Sequence, residues 1–100
     1  MDMDRNIKNI ITDARKVLTS LDAAWRKVRV SKCRGSAKDW IKIKITVEYK
    51  NGCITEENIK LGVSLKKLAC KSVEHLCKDY TMQDGYRGTC IDAVLDWYPV

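Results

Sequence analysis

Between Ile41 and Tyr49 every second residue is apolar: Ile41, Ile43, Ile45, Val47 and Tyr49 alternate with Lys42, Lys44, Thr46 and Glu48. Successive side chains of an extended strand point to opposite faces, so this stretch reads as a half-buried strand of an antiparallel sheet. Its solvent face carries Trp40, Lys42, Lys44, Thr46, Glu48 and Lys50. A partner strand has to follow or precede it. Asn51-Gly52 is a strong hairpin signal, and a three-residue loop, Lys50-Asn51-Gly52, pairs Ile43 with Ile59 and Ile41 with Leu61, keeping the apolar faces together. A two-residue turn would set Ile43 against Lys60 and is rejected.

Before this strand, Ile7, Ile10, Ile11, Ala14, Val17, Leu18, Leu21, Ala24, Trp25 and Val28 recur at the three-and-four spacing of an amphipathic helix. The phase holds through Thr19-Ser20-Leu21-Asp22, which predicts one helix over residues 4–28, about 37 Å long, capped by Asp2 or Asp4. Trp25 falls on its core stripe. Residues 31–38 lack periodicity and read as a basic loop. After Gly62, Leu65, Leu68, Ala69, Val73, Leu76, Cys77 and Tyr80 predict a second helix capped by Ser64. Residues 81–88, with two glycines, read as a loop. Thr89-Cys90-Ile91-Asp92 resembles a capping box, and Ile91, Val94, Leu95 and Tyr98 then predict a short last helix ended by Pro99. The expected fold is therefore α+β: a long N-terminal helix, an antiparallel β-hairpin, then two C-terminal helices packed on one face of the small sheet.

The 100 residues fit one domain, 1–100, with no room for a second core. A chain this short buries only about 60–65% of the surface its unfolded form exposes, which leaves little material for a deep pocket. No apolar run approaches the roughly 20 residues of a membrane helix, and Met1-Asp2-Met3-Asp4-Arg5 lacks the order of a signal peptide. A cytoplasmic protein without a membrane partner is expected. Cys33, Cys53, Cys70, Cys77 and Cys90 are odd in number and contain no C-x-x-C pair, so free, buried, structural thiols are expected rather than bridges or a metal site. Cys70 and Cys77 stand about 10 Å apart along a helix, too far to share one zinc ion.

Catalytic signatures are missing. The single histidine, His75, falls on the helix side away from Val73 and Cys77, Glu56-Glu57 point oppositely on a strand, and Asp92 and Asp96 flank a helix as solvated groups. There is no phosphate-cradling glycine loop and no H-E-x-x-H. The expectation is a protein that is not an enzyme and carries neither cofactor nor metal. The terminal Trp97-Tyr98-Pro99-Val100 is expected to pack on its own domain, although such an end also suits capture as an added strand.

Charge is the remaining functional signal. Residues 1–50 hold thirteen Lys and Arg against six Asp and Glu, a balance of +7, while residues 51–100 hold six against seven, a balance of −1. The basic side chains that the periodicity places outside the core are Arg15, Lys16, Arg26, Lys27 and Arg29 on the first helix, then Lys32, Arg34 and Lys38 in the loop, and Lys42 and Lys44 beside Trp40 on the strand. Such a surface suits a phosphate backbone with stackable bases, or an acidic or nucleic-acid-handling protein. Two functions follow as expectations: a small binding protein whose basic N-terminal half docks nucleic acid or a nucleoprotein complex, or a stoichiometric inhibitor or adaptor of the phage or mobile-element kind that occludes a host protein. A homodimer is a further option, because so long a first helix has more apolar stripe than the rest of the chain can cover.

Overall fold

Two helices and three strands follow in the order α1 (Ile7–Ser20), β1 (Lys27–Lys32), β2 (Ile41–Tyr49), α2 (Glu56–Cys77) and β3 (Ile91–Pro99) in the computed structural model, which describes residues 7–35, 40–50, 52–78 and 90–100. The sheet is mixed, in the order β1-β2-β3. β1 pairs antiparallel with β2, Lys27 opposite Thr46 through Lys32 opposite Ile41, and β3 runs parallel to β2, Ile41 opposite Ile91 through Tyr49 opposite Pro99. The alternating strand is thus the centre of the sheet. Its Ile41, Ile43, Ile45 and Val47 are fully buried, packed in one core with Ile10, Ala14 and Leu18 of α1 and Leu65, Ala69 and Val73 of α2. Both helices cover the same face, and no described helix covers the other.

The order of elements differs from the expected one at four places, each with a local cause. First, the helix expected over residues 4–28 ends at Ser20. Thr19 Oγ1 donates to the Arg15 carbonyl at 2.7 Å and Ser20 Oγ to the Val17 carbonyl at 2.7 Å, side-chain bonds that compete with continuation of the backbone ladder. Val28, placed on the helix stripe by spacing, also alternates together with Val30 against Lys27, Arg29 and Ser31, and that period wins because it sets Val28 against Ile45 and Val30 against Ile43. Trp25, expected on the core stripe, lies half-buried against the core ahead of β1.

Second, the hairpin is β1–β2 and not a pair formed across Asn51-Gly52. Gly52, in that expected loop, does adopt a left-handed conformation, φ 69°. Instead of a strand, the chain after it starts α2. Thr55 Oγ1 accepts from the Asn58 backbone N–H at 3.2 Å while the Asn58 side chain accepts from the Thr55 backbone N–H at 3.0 Å, a reciprocal cap, and Glu56 and Glu57 occupy the positive end of the helix dipole. Ile59 and Leu61, expected opposite Ile43 and Ile41, are exposed on that helix, and Glu56-Glu57 are helical rather than on a strand. Third, α2 begins eight residues before the expected Ser64 cap, at Glu56.

Fourth, the last element is a strand and not a helix. Ile91, Ala93, Leu95 and Trp97 alternate onto the core face as readily as Ile91, Val94, Leu95 and Tyr98 fit a helix, and the central strand still has an edge to pair. Asp92 and Asp96 therefore sit on the open sheet face, not on a helix flank. The Thr89 cap, the N-terminal Asp2 or Asp4 cap and the loop expected over residues 81–88 lie outside the described residues. No described helix is long and apolar enough to cross a membrane.

Candidate functional site

Residues directly opposite each other in a sheet share a face. The register therefore gathers Lys27, Arg29 and Ser31 of β1, Lys42, Lys44, Thr46 and Glu48 of β2, and Asp92, Val94, Asp96 and Tyr98 of β3 on the side away from the helices. The basic residues occupy β1 and the middle strand, and the acidic ones are Asp92 and Asp96 on β3 and Glu48 at the end of β2. Lys44 Nζ lies 3.9 Å from Asp96 Oδ2, both about half exposed, an ion pair that solvent leaves weak. Positive charge accumulates toward the β1 edge.

That edge is where a groove forms. Its volume is about 540 Å³, and Arg15 and Thr19 of α1, Val28, Arg29, Val30 and Ser31 of β1, and Lys42 and Lys44 of β2 line it, four cations around an apolar floor. Arg15 turns over the edge of the sheet: its Nε and Nη2 both donate to the Val30 carbonyl, at 3.1 and 2.9 Å. One fork of donors on one acceptor holds the guanidinium in a fixed place beside the other cations. A second groove of about 410 Å³ adjoins the first through Ser31 and Lys42 and is bordered by Lys32, Arg34, Trp40 and Asp92. Trp40, 38% exposed, offers a ring at this border.

The basic residues singled out from the sequence thus divide. Arg15, Arg29, Lys42 and Lys44 come together at the first groove, and Lys32, Arg34, Trp40 and Lys42 at the second. Lys27 shares the open face but lines neither groove, and Lys16 is exposed on α1. Arg26 is otherwise engaged. It is ion-paired with Glu48 and its guanidinium stacks 3.9 Å above the Tyr98 ring, at the far end of the open face. Lys38 lies outside the described residues. Sequence reading missed the two aspartates on the same face, whose alternation with Ala93, Leu95 and Trp97 was the available signal.

The thiols do not form a site with these cations. Cys77 is buried and Cys33 and Cys70 half-buried, but Cys53 and Cys90 are exposed, which corrects the expectation of uniformly buried cysteines. Burial raises the Cys33 pKa, helped by Asp92 and opposed by Lys42, so this thiol beside the second groove stays protonated at neutral pH. Burial likewise raises Cys70, with Lys66 opposing and Glu74 adding. Cys77 is pushed up to about 11, by burial first and then by Cys70, Cys90 and Glu74. His75 is exposed in the last turn of α2. Among the described residues no three His, Cys, Asp or Glu side chains are placed to hold a metal ion. Comparison with protein-family models, curated proteins and solved structures found no match.

Proposed function

We propose that this chain is a small non-enzymatic binding protein that docks the phosphate backbone of a nucleic acid, alone or within a nucleoprotein, along the β1 side of its sheet. The observation that carries the reading is the convergence of Arg15, Arg29, Lys42 and Lys44, from three separate elements, on one open groove. Shallow and cationic, such a groove suits an extended polyanion better than an enclosed small molecule. Trp40 at its continuation offers a face on which a base can stack. Asp92 and Asp96 restrict the track to one half of the face, since a phosphate over β3 would meet carboxylates.

The test is binding of short single- and double-stranded DNA and RNA, read by fluorescence anisotropy across a salt series. Arg29→Glu, Lys42→Glu and Lys44→Glu alter exposed side chains, so circular dichroism should stay native. Every cation–phosphate pair that a reversal abolishes should lower the slope of log affinity against log salt by roughly 0.7 to 0.9. Trp40→Ala should cost about 1 to 3 kcal/mol where a base stacks. Arg26→Glu, whose charge is already paired, should matter least. Absence of binding at low salt, or unchanged binding by all three folded reversal variants, would remove the nucleic-acid reading and leave the basic face a solubilising surface.

A further inference from the structure

The two edges of the sheet are finished differently. On β1 the outward Val30 carbonyl is covered by the Arg15 guanidinium, and Lys27, Arg29 and Lys32 lie along the same strand, the kind of charged dressing that keeps an edge from pairing. Among the described residues nothing covers the β3 edge in this way. Ile41 donates its N–H to the Cys90 carbonyl and Val100 donates to the Tyr49 carbonyl, so even-numbered residues of β3 bond to the central strand. The N–H groups of Ile91, Ala93, Leu95 and Trp97 therefore point outward, and no described strand lies beyond them. Pro99 occupies the next outward position, where its missing N–H costs the sheet nothing.

Apolar surface borders this edge. Ile91, Ala93, Leu95 and Trp97 stay only partly buried, although α2 comes close to Leu95 and Trp97 at Gly62. Ile59, Val63, Cys70 and Cys77, spaced by four, seven and seven residues, lie within about 40° of one another around a 3.6-residue helix. Cys77 feels the Cys90 thiol at the start of β3, so that flank of α2 faces β3. On it Ile59 is 51% and Val63 43% exposed.

We propose that β3 pairs antiparallel with β3 of a second copy of this chain, about a two-fold axis at Leu95, to form a six-stranded sheet. In that register Leu95 meets the partner's Leu95, small Ala93 meets the partner's Trp97, and Ile91 meets the partner's Pro99, all on the apolar side. On the open side Asp92 meets the partner's Tyr98 and Val94 meets the partner's Asp96. No carboxylate faces another, whereas a two-fold axis one residue away, at Val94, would set Asp92 against the partner's Asp96. Charge selects the same edge. Two chains of net charge +6 repel, and residues 90–100 contain two aspartates and neither Lys nor Arg, so approach is least costly there. An isologous pairing closes after two copies, and the guarded β1 edges end the sheet on both sides.

The experiment is light scattering from micromolar to submillimolar protein, joined to amide hydrogen exchange on the same samples. The expected result is twice the chain mass at high concentration. Exchange of the outward amides of Ala93, Leu95 and Trp97 should slow as concentration rises, while those of Asp92, Val94 and Asp96 are slow throughout. Added salt should leave the dimer unchanged or strengthen it, the opposite of its effect on nucleic-acid binding, so the two proposals fail separately. Ala93→Pro removes an outward N–H and no bond of the β2–β3 ladder, at the cost of a fixed φ that circular dichroism must show the strand tolerates, and Val63→Glu charges the exposed flank of α2 without touching the sheet. Each should raise the dimer dissociation constant at least tenfold. A single-chain mass at every concentration, a dimer indifferent to Val63→Glu and to a folded Ala93→Pro, or protection appearing instead at Val28 and Val30 would overturn the proposal.

Discussion

Cys77 shows what one side chain can reveal about its surroundings. Its thiol is buried at the end of α2, and its pKa rises from an ordinary value of 9.0 to about 11. Between those values the unfolded chain releases its proton while the folded one keeps it, so stability falls as pH rises. The contribution is whole below pH 9.0 and lost above about 11. Cys77→Val keeps an apolar group of similar size and removes the titration. Chemical unfolding of both proteins across this range should show the native chain losing stability relative to the variant, and parallel pH profiles would show that Cys77 ionises as freely folded as unfolded. Arg26 carries the complementary lesson. Its type and spacing made it equal to Arg29 as a candidate for binding, yet Glu48 and Tyr98, distant in sequence, occupy it. Periodicity can place a charge outside the core but cannot tell whether a long-range partner has already taken it.

At the scale of elements, the packing of α2 on β3 turns on Gly62. A Cβ built there lies 2.7 Å from Leu95 Cδ1 and 3.2 Å from Trp97 Cη2. Gly62→Ala gains about 1 kcal/mol of helix propensity and loses a similar amount in moving the end of Leu95, so thermal unfolding should shift little. Gly62→Leu lifts the helix from the strand and should cost about 2 to 3 kcal/mol; an unchanged melting temperature for Gly62→Leu would mean that α2 packs elsewhere. The same pair of elements explains what the sequence could and could not disclose. β2 was legible because five alternating apolar residues fit no other period, and the body of α1 because its stripe is broad. β1 and β3 were not, since short runs such as Lys27–Lys32 satisfy both a two-residue and a 3.6-residue rhythm. The choice was made by the unsatisfied edges of β2, a non-local demand. The start of α2 was hidden for another reason: Asn51-Gly52 advertised a hairpin, while Thr55 and Asn58 formed a cap in a version with asparagine at the third position, outside the usual Glu or Gln. The candidate site was half legible. Its cations were identified by type, but their meeting at the β1 edge, and the aspartates beside them, came only with the register.

For the molecule as a whole, the central strand takes one neighbour from each side of the chain: β1 precedes it, and β3 arrives only after the 22 residues of α2 and the connection that follows. A parallel pair cannot close by a short turn, so this pairing costs loop entropy before any strand contact offsets it. The hairpin β1–β2 can form early, but until the last strand appears one edge of β2 and part of the isoleucine face stay wet. At synthesis rates of about 5–20 residues per second this leaves an interval of a second or more in which the growing chain has two finished helices' worth of sequence and an unfinished sheet. A chain stopped at Lys78 should therefore remain sensitive to protease, whereas one that resists like the 100-residue chain would show that β3 is dispensable. β3, the last of the described strands, is in this sense the latch of the fold, because its pairing closes the edge of β2 that would otherwise stay open to proteolysis and aggregation.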